Sequence, residues 1–217
     1  MFTRKLTLFV CTVLVLGLSA NGYAADGQPT VKNGFYLGMY AAQVPVGGNF
    51  DDTRFYVSGS TVYDVPKVED GQGFGVVMGG RFPRMAIEML YQRTTHDTHS
   101  SFVDIGDQTA YYNTIDFNFK FDLAWESKAR PYLLIGFGIP WITIENSKYD
   151  GDYRDETFHG LAANLGAGLA YYFTPKLCIN GEAYYRWARF SNVDGDSLDD
   201  DLDSEGPIFK LGMAYTF

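Results

Sequence analysis

Cysteine is almost missing from this chain. Of its 217 residues only two are cysteines. Cys11 lies in an N-terminal stretch that reads as a removable leader, so Cys178 is left alone and no internal disulfide can support the mature fold. Positive charge is also scarce, with 17 Lys and Arg against 26 Asp and Glu. Without Arg4 and Lys5 of the leader the balance becomes 15 − 26 = −11, which argues against nucleic acid as a partner. After the leader no segment reaches eighteen apolar residues, which excludes an ordinary membrane helix. No cysteine occupies a lipobox position, so a lipid anchor is not expected, and no stretch has the composition of a linker.

The leader itself is recognisable. Arg4 and Lys5 supply a positive start, Leu6 to Ala20 an apolar run, and Gly22-Tyr23-Ala24 a small-x-small site, so cleavage is expected after Ala24. Residues 1–24 are therefore read as a signal peptide and 25–217 as one domain. The aromatic share of the whole chain, 17%, is high, while its mean hydropathy of −0.13 looks soluble. An alternating barrel combines these two properties, because its wet and dry faces average out.

Tyr111 to Trp125 shows the pattern most clearly. One row reads Tyr111, Asn113, Ile115, Phe117, Phe119, Phe121, Leu123, Trp125, and the other Tyr112, Thr114, Asp116, Asn118, Lys120, Asp122, Ala124. A period of two places these rows on opposite faces of a strand. The apolar row ends in rings while the other carries charge, as in a strand that crosses a bilayer around a polar interior. Seven further segments alternate in the same way, with outward rows starting at Phe35, Phe74, Met85, Leu133, Leu161, Leu177 and Phe209. The connections alternate too. Pro83-Arg84, 126–130 and 174–176 are short, whereas 43–72, 94–110, 145–157 and 191–206 are long. The fold expected is all-β, an eight-stranded antiparallel transmembrane barrel with short periplasmic turns and long extracellular loops. A soluble barrel of lipocalin type would leave the aromatic rims and the loop asymmetry unexplained.

Several motifs in this order resemble the small eight-stranded outer-membrane barrels of the opacity, OmpX and OmpA-transmembrane type. They are Asn33-Gly34-Phe35-Tyr36-Leu37-Gly38, Ala86-Ile87-Glu88, Arg130-Pro131-Tyr132 with Gly136-Phe137-Gly138, Gly166-Ala167-Gly168, and Gly181-Glu182-Ala183-Tyr184-Tyr185. The terminal Leu211, Met213, Tyr215 and Phe217 resemble the signal read by the barrel-assembly machinery of Gram-negative bacteria. The resemblance implies residence in the cell outer membrane, among its lipids and lipopolysaccharide. It also implies loops that meet a host-surface or matrix ligand. A peptidoglycan-binding domain of OmpA type is absent, so tethering of the cell wall is not expected.

Eight strands enclose a lumen just wide enough to be filled by side chains. On the register above, Arg81, Glu88, Asp116, Lys120, Asp122, Glu182, Arg186 and Lys210 point into it. Buried charges need partners, so a paired network is expected, with inward glycines making room for the long basic chains. The alternative is a narrow channel gated by one such pair.

Outside, 54–63 reads as an extra hairpin whose Phe55, Tyr56 and Tyr63 are contact candidates. The acidic run Asp194 to Glu205 has oxygen donors suited to divalent cations but not the spacing of a defined loop, so a solvated segment is expected and no metal is assigned. His96, Asp97, His99, Ser100 and Ser101 are the ingredients of a triad. The His99-x-Ser101 pair of lipid A deacylases lacks its following Glu, so no enzyme and no cofactor are expected. Two functions remain: surface interaction or adhesion through the loops, and a narrow porin-like channel or conduit for small hydrophobic solutes. A structural role in envelope integrity is also compatible.

Overall fold

The computed structural model describes residues 31–51, 53–57, 61–99, 108–149, 152–194 and 196–217; for 53–57, 61–64, 146–149, 152–154, 196–197 and 199–200 it describes the backbone alone. These residues form eleven strands and, among those described, no helix: β1 Gly34–Val44, β2 Thr53–Val57, β3 Thr61–Val65, β4 Lys67–Val68, β5 Gly71–Arg81, β6 Met85–His99, β7 Gln108–Asp122, β8 Ala129–Tyr149, β9 Asp152–Tyr172, β10 Leu177–Val193 and β11 Asp196–Thr216. Eight of them close a ring in which every neighbour is antiparallel: β1, β5, β6, β7, β8, β9, β10, β11 and back to β1. The closing seam pairs Tyr36 with Thr216 and Gln43 with Phe209. Closure leaves no edge in the bilayer, where an unpaired backbone group would be costly.

The short connections are built from local chemistry. The Thr174 hydroxyl accepts hydrogen bonds from the amides of Lys176 (3.2 Å) and Leu177 (3.0 Å), which folds Thr174-Pro175-Lys176 into a tight turn. At the first turn the Phe82 amide donates to the Met85 carbonyl at 2.8 Å. Proline at 83 sits where no ladder donor is needed.

The outer wall carries the apolar row. Phe74 is 72% exposed and Leu161 69%, values that make sense only against lipid. Rings border this band. Below lie Phe35 against Phe217 and Tyr171 against Phe173, and above lie Tyr91 near Trp141 and Tyr185 beside Trp187. Trp125 falls just past β7, in the turn, where the Arg84 guanidinium covers its ring at 5.0 Å.

The long connections differ from the expected loops, because most of their length is strand. Thr94 to His99 continues β6. Residues up to Tyr149 and from Asp152 form one hairpin of β8 and β9, and most of 191–206 belongs to β10 and β11. Beyond Trp141, β8 runs eight more residues, about 26 Å of strand. The reason lies in a change of phase. Within the membrane the outward residues are apolar, but above it Thr143, Asp155, Arg189, Asp201 and Asp203 point out while Ile142, Ile144, Phe158, Phe190 and Leu202 point in. Both halves alternate, in opposite senses, so a pattern sought with one sense breaks off at the girdle.

β2 and β3 form the expected hairpin, with Phe55 opposite Tyr63 and Tyr56 opposite Val62 in Cα register, and it joins the barrel through Tyr63 and Tyr149. β4 pairs with the upper end of β6.

Candidate functional site

The lumen contains three layers of charge within the membrane. At the periplasmic end, Arg81 Nη1 lies 2.8 Å from Asp122 Oδ2, and Arg130 Nη1 reaches the same oxygen at 3.5 Å. The Tyr172 ring faces both guanidiniums at 5.4 and 5.2 Å. In the middle, Lys120 binds Glu88 Oε1 at 2.7 Å and also contacts Glu182, whose other oxygen takes Lys210 at 2.9 Å. Tyr36 and Tyr132 donate to Glu88 and Glu182 at 2.6 and 2.9 Å. In the third layer Arg186 is paired with Asp116, donates from Nε to Asn164 at 2.9 Å and from Nη1 to the Tyr112 hydroxyl at 3.1 Å, while Thr114 donates to Asp116 at 2.8 Å. All eight lumen candidates are thus brought together, each at most 9% exposed.

Arg130 was missing from the sequence reading. It belongs to the network because β8 begins at Ala129, one residue earlier. Arg130 alternates with Tyr132 and Leu134 on the inward row, a signal that the neighbouring turn obscured.

Inward glycines are needed, though not for the basic chains. A Cβ on Gly168 would come within 2.4 Å of the Tyr132 ring, one on Gly79 within 2.7 Å of the Tyr36 ring, and one on Gly138 within 2.0 Å of Asp116 Oδ1. The glycines therefore accommodate tyrosines and an aspartate from neighbouring strands. The space left between Tyr40, Glu88, Lys120, Glu182 and Lys210 is about 10 Å³, room for about one water.

Above the charges the lumen changes character. Phe50, from the segment after β1, packs edge-on against Phe158 (5.7 Å) and Phe190 (5.2 Å). Val46, Val65, Val68, Ile142, Ile144 and Leu202 complete a buried apolar cap. The charged filling is therefore confined to membrane depth, where it shares the interior with Val77, Leu90 and Leu134. The strap that bears Val65 and Val68 is latched to the wall. The Val68 amide donates to Phe50, the Glu69 amide to Asp97, and the His96 ring contacts the Glu69 carbonyl at 2.8 Å and the Thr94 hydroxyl at 2.7 Å. Since the carbonyl can only accept, Nδ1 carries the proton and Nε2 accepts from Thr94. His96 stands above the aromatic girdle, and burial pulls its pKa below the ordinary value despite Asp70 and Asp97 nearby.

The remaining candidates are dispersed. His96 is buried inside and His99 is exposed outside, on opposite faces of β6, and Ser100 and Ser101 lie outside the described residues. The side chains of Phe55, Tyr56 and Tyr63 also lie outside them. In the acidic run, Asp203 and Asp201 flank Arg189 at 3.0 and 3.8 Å, and Asp194 accepts from the Thr157 amide. No three groups able to hold a metal converge among the described residues. Leu211, Met213, Tyr215 and Phe217 form one outward row, whose last amide donates to the Phe35 carbonyl at 3.0 Å.

A family model described as outer membrane protein beta-barrel domain matches residues 10–217. Among solved structures, the chain is similar to Neisserial surface protein A, with 16% identity, a TM-score of 0.51, and coverage of 84% of this chain and 97% of that one. It is similar as well to the outer membrane protein OprG from Pseudomonas aeruginosa, with 15% identity, a TM-score of 0.54, and coverage of 88% and 99%. No curated protein sequence matches.

Proposed function

Because this chain belongs to the outer membrane protein beta-barrel domain family and resides in the outer membrane, we propose that it is a surface-interaction protein, a plugged barrel that holds a β-built platform above the lipopolysaccharide. The observation that carries this reading is the double filling of the lumen, with charges at membrane depth and an apolar cap above. A wide pore has no place in it, while most of the chain outside the membrane is spent on paired strands.

Charge narrows the partner class. The segments 45–72, 94–110, 143–159 and 188–206 hold 20 acidic and 5 basic residues, a net charge of −15. Such a surface repels polyanions and favours a host or matrix protein with exposed Lys and Arg. Residues 1–24 serve as the export signal of the 25–217 domain on this reading, and the row from Leu211 to Phe217 is what the assembly machinery engages.

The test displays the full protein on cells and measures binding to surfaces coated with a basic protein or with heparin, over a range of salt. Binding to the basic surface should weaken as salt rises. It should also be lost when Val44 to Gly71 is replaced by a short Gly-Ser turn, with folding checked by heat-modifiable gel mobility. Preference for heparin, or binding indifferent to the loop, refutes the reading.

One observation favours a conduit for small hydrophobic solutes instead. The upper compartment is lined by aromatic and branched side chains, and Phe50 is carried on a connection rather than on the ring. On that reading Phe50→Ala raises uptake of an apolar dye into reconstituted liposomes.

A further inference from the structure

The lumen charges do not balance. In the middle layer Lys120 and Lys210 face Glu88 and Glu182, and in the layer above Arg186 faces Asp116, so both layers are neutral. Among the described residues the periplasmic layer has two guanidiniums and a single carboxylate. Arg81 and Arg130 are 7% and 5% exposed, so water screens this surplus charge poorly, and a buried charge without a partner is costly. Both arginines also use the same oxygen of Asp122, the second at 3.5 Å. The other oxygen, Oδ1, is buried with no hydrogen-bond partner. Arg130 Nε donates to the Ser127 carbonyl at 3.1 Å, so the layer sets two forked cations beside one unused carboxylate acceptor.

We propose that Arg81, Arg130 and Asp122 form a site at the periplasmic mouth for an oxyanion that also bears a hydroxyl, as dihydrogen phosphate and hydrogen phosphate do. The anion's oxygens accept from the guanidiniums, whose planar forks match phosphate geometry, and its hydroxyl donates to Asp122 Oδ1. One ligand then supplies both the missing negative charge and the missing donor. Sulfate and phosphodiester headgroups have the charge without the hydroxyl, and chloride lacks the geometry. Lys32, Arg84, Lys128 and Lys176 stand around the same mouth against Glu126, and such a rim raises the local concentration of anions.

The experiment measures the thermal midpoint of the barrel, by heat-modifiable gel mobility in a zwitterionic detergent at pH 7, in sodium phosphate, sulfate or chloride of equal ionic strength. Phosphate should raise the midpoint by about 2–4 °C over chloride, with sulfate clearly behind. Arg130→Gln should abolish the difference, and Arg189→Gln, above the girdle at the far end of the barrel, should keep it. If Arg130→Gln does not fold in chloride, Arg130→Lys replaces it, since it keeps the charge but loses the fork. Equal midpoints in phosphate and chloride overturn the proposal. So do equal shifts with phosphate and sulfate, or a phosphate response that survives at position 130.

Discussion

Removing the Glu182 carboxylate should destabilise the barrel more than any other single change at membrane depth. Its two oxygens serve Lys120 and Lys210, and Tyr132 donates to it as well. In Glu182→Gln two ammoniums remain with Glu88 as their only carboxylate. At about 4 Å and an effective dielectric of about 20, like charges repel by about 4 kcal/mol. Breaking a buried pair by deleting one partner typically costs about 3–5 kcal/mol, so a loss of that size is expected. The same reasoning requires that Glu182→Gln with Lys210→Met be more stable than the single variant, by about 2 kcal/mol, because one neutral pair of Lys120 and Glu88 is left. Urea unfolding from lipid vesicles, followed by tryptophan fluorescence and gel mobility, measures both with unchanged slope. A single variant within about 1 kcal/mol of wild type, or a double variant whose loss equals the sum of the two singles, would refute the reasoning. A gate, unlike a plug, predicts increased conductance in the single variant before any loss of stability.

Other outcomes follow from the same geometry. His96 is held neutral with a depressed pKa, so the latch contributes fully above the ordinary histidine value of about 6.5 and its contribution falls as pH drops through and below that value. Hydrogen-exchange protection of the Val68 and Glu69 amides should therefore decline between neutral and mildly acidic pH, and His96→Gln should show no such decline; an equal decline in that variant would refute the assignment to His96. Gly168→Ala drives a methyl into the Tyr132 ring and the Gly181 carbonyl and should cost about 1–3 kcal/mol, read from the same urea titration. Phe50→Ala removes the centre of the cap, a loss of about 3–5 kcal/mol for a buried Phe, which should appear as protease cutting of 45–70 while the barrel's gel shift is retained.

The membrane half of this fold is legible because one rule covers it. From Phe35 to Phe217 each crossing strand alternates, and inward Glu88, Lys120 and Arg186 could be placed from parity alone. The partners could not, since Lys120 meets Glu182 across a lumen separation of 62 residues that no local pattern encodes. Above the girdle the rule inverts. Ile142, Ile144 and Phe158 belong to a core open to water on its outer side, and their polar neighbours read as loop when the outward face is assumed dry. Phe50 was hidden for another reason, since it arrives from an irregular segment next to Gly48 at a positive φ of 83°. Glycine tolerates that backbone and a larger residue does not. Arg130 was lost to a boundary error of two residues, since β8 begins at Ala129 and not after the 126–130 turn, the commonest weakness of reading strands from turns.

The inversion at the girdle also sets vertical position. Alternation tells each strand which face is which, but it is blind to a slip of two residues, which preserves every face. A strand whose pattern changes sense partway has a mark along its length. A two-residue slip at β10 that respected every inward and outward choice would still push Arg189 down into the lipid band or lift Trp187 out of it. The four marked strands, β8 to β11, must set their marks at one height for the ring to close, so there the sequence encodes elevation as well as orientation, and a misthreaded strand is penalised even when its parity is right.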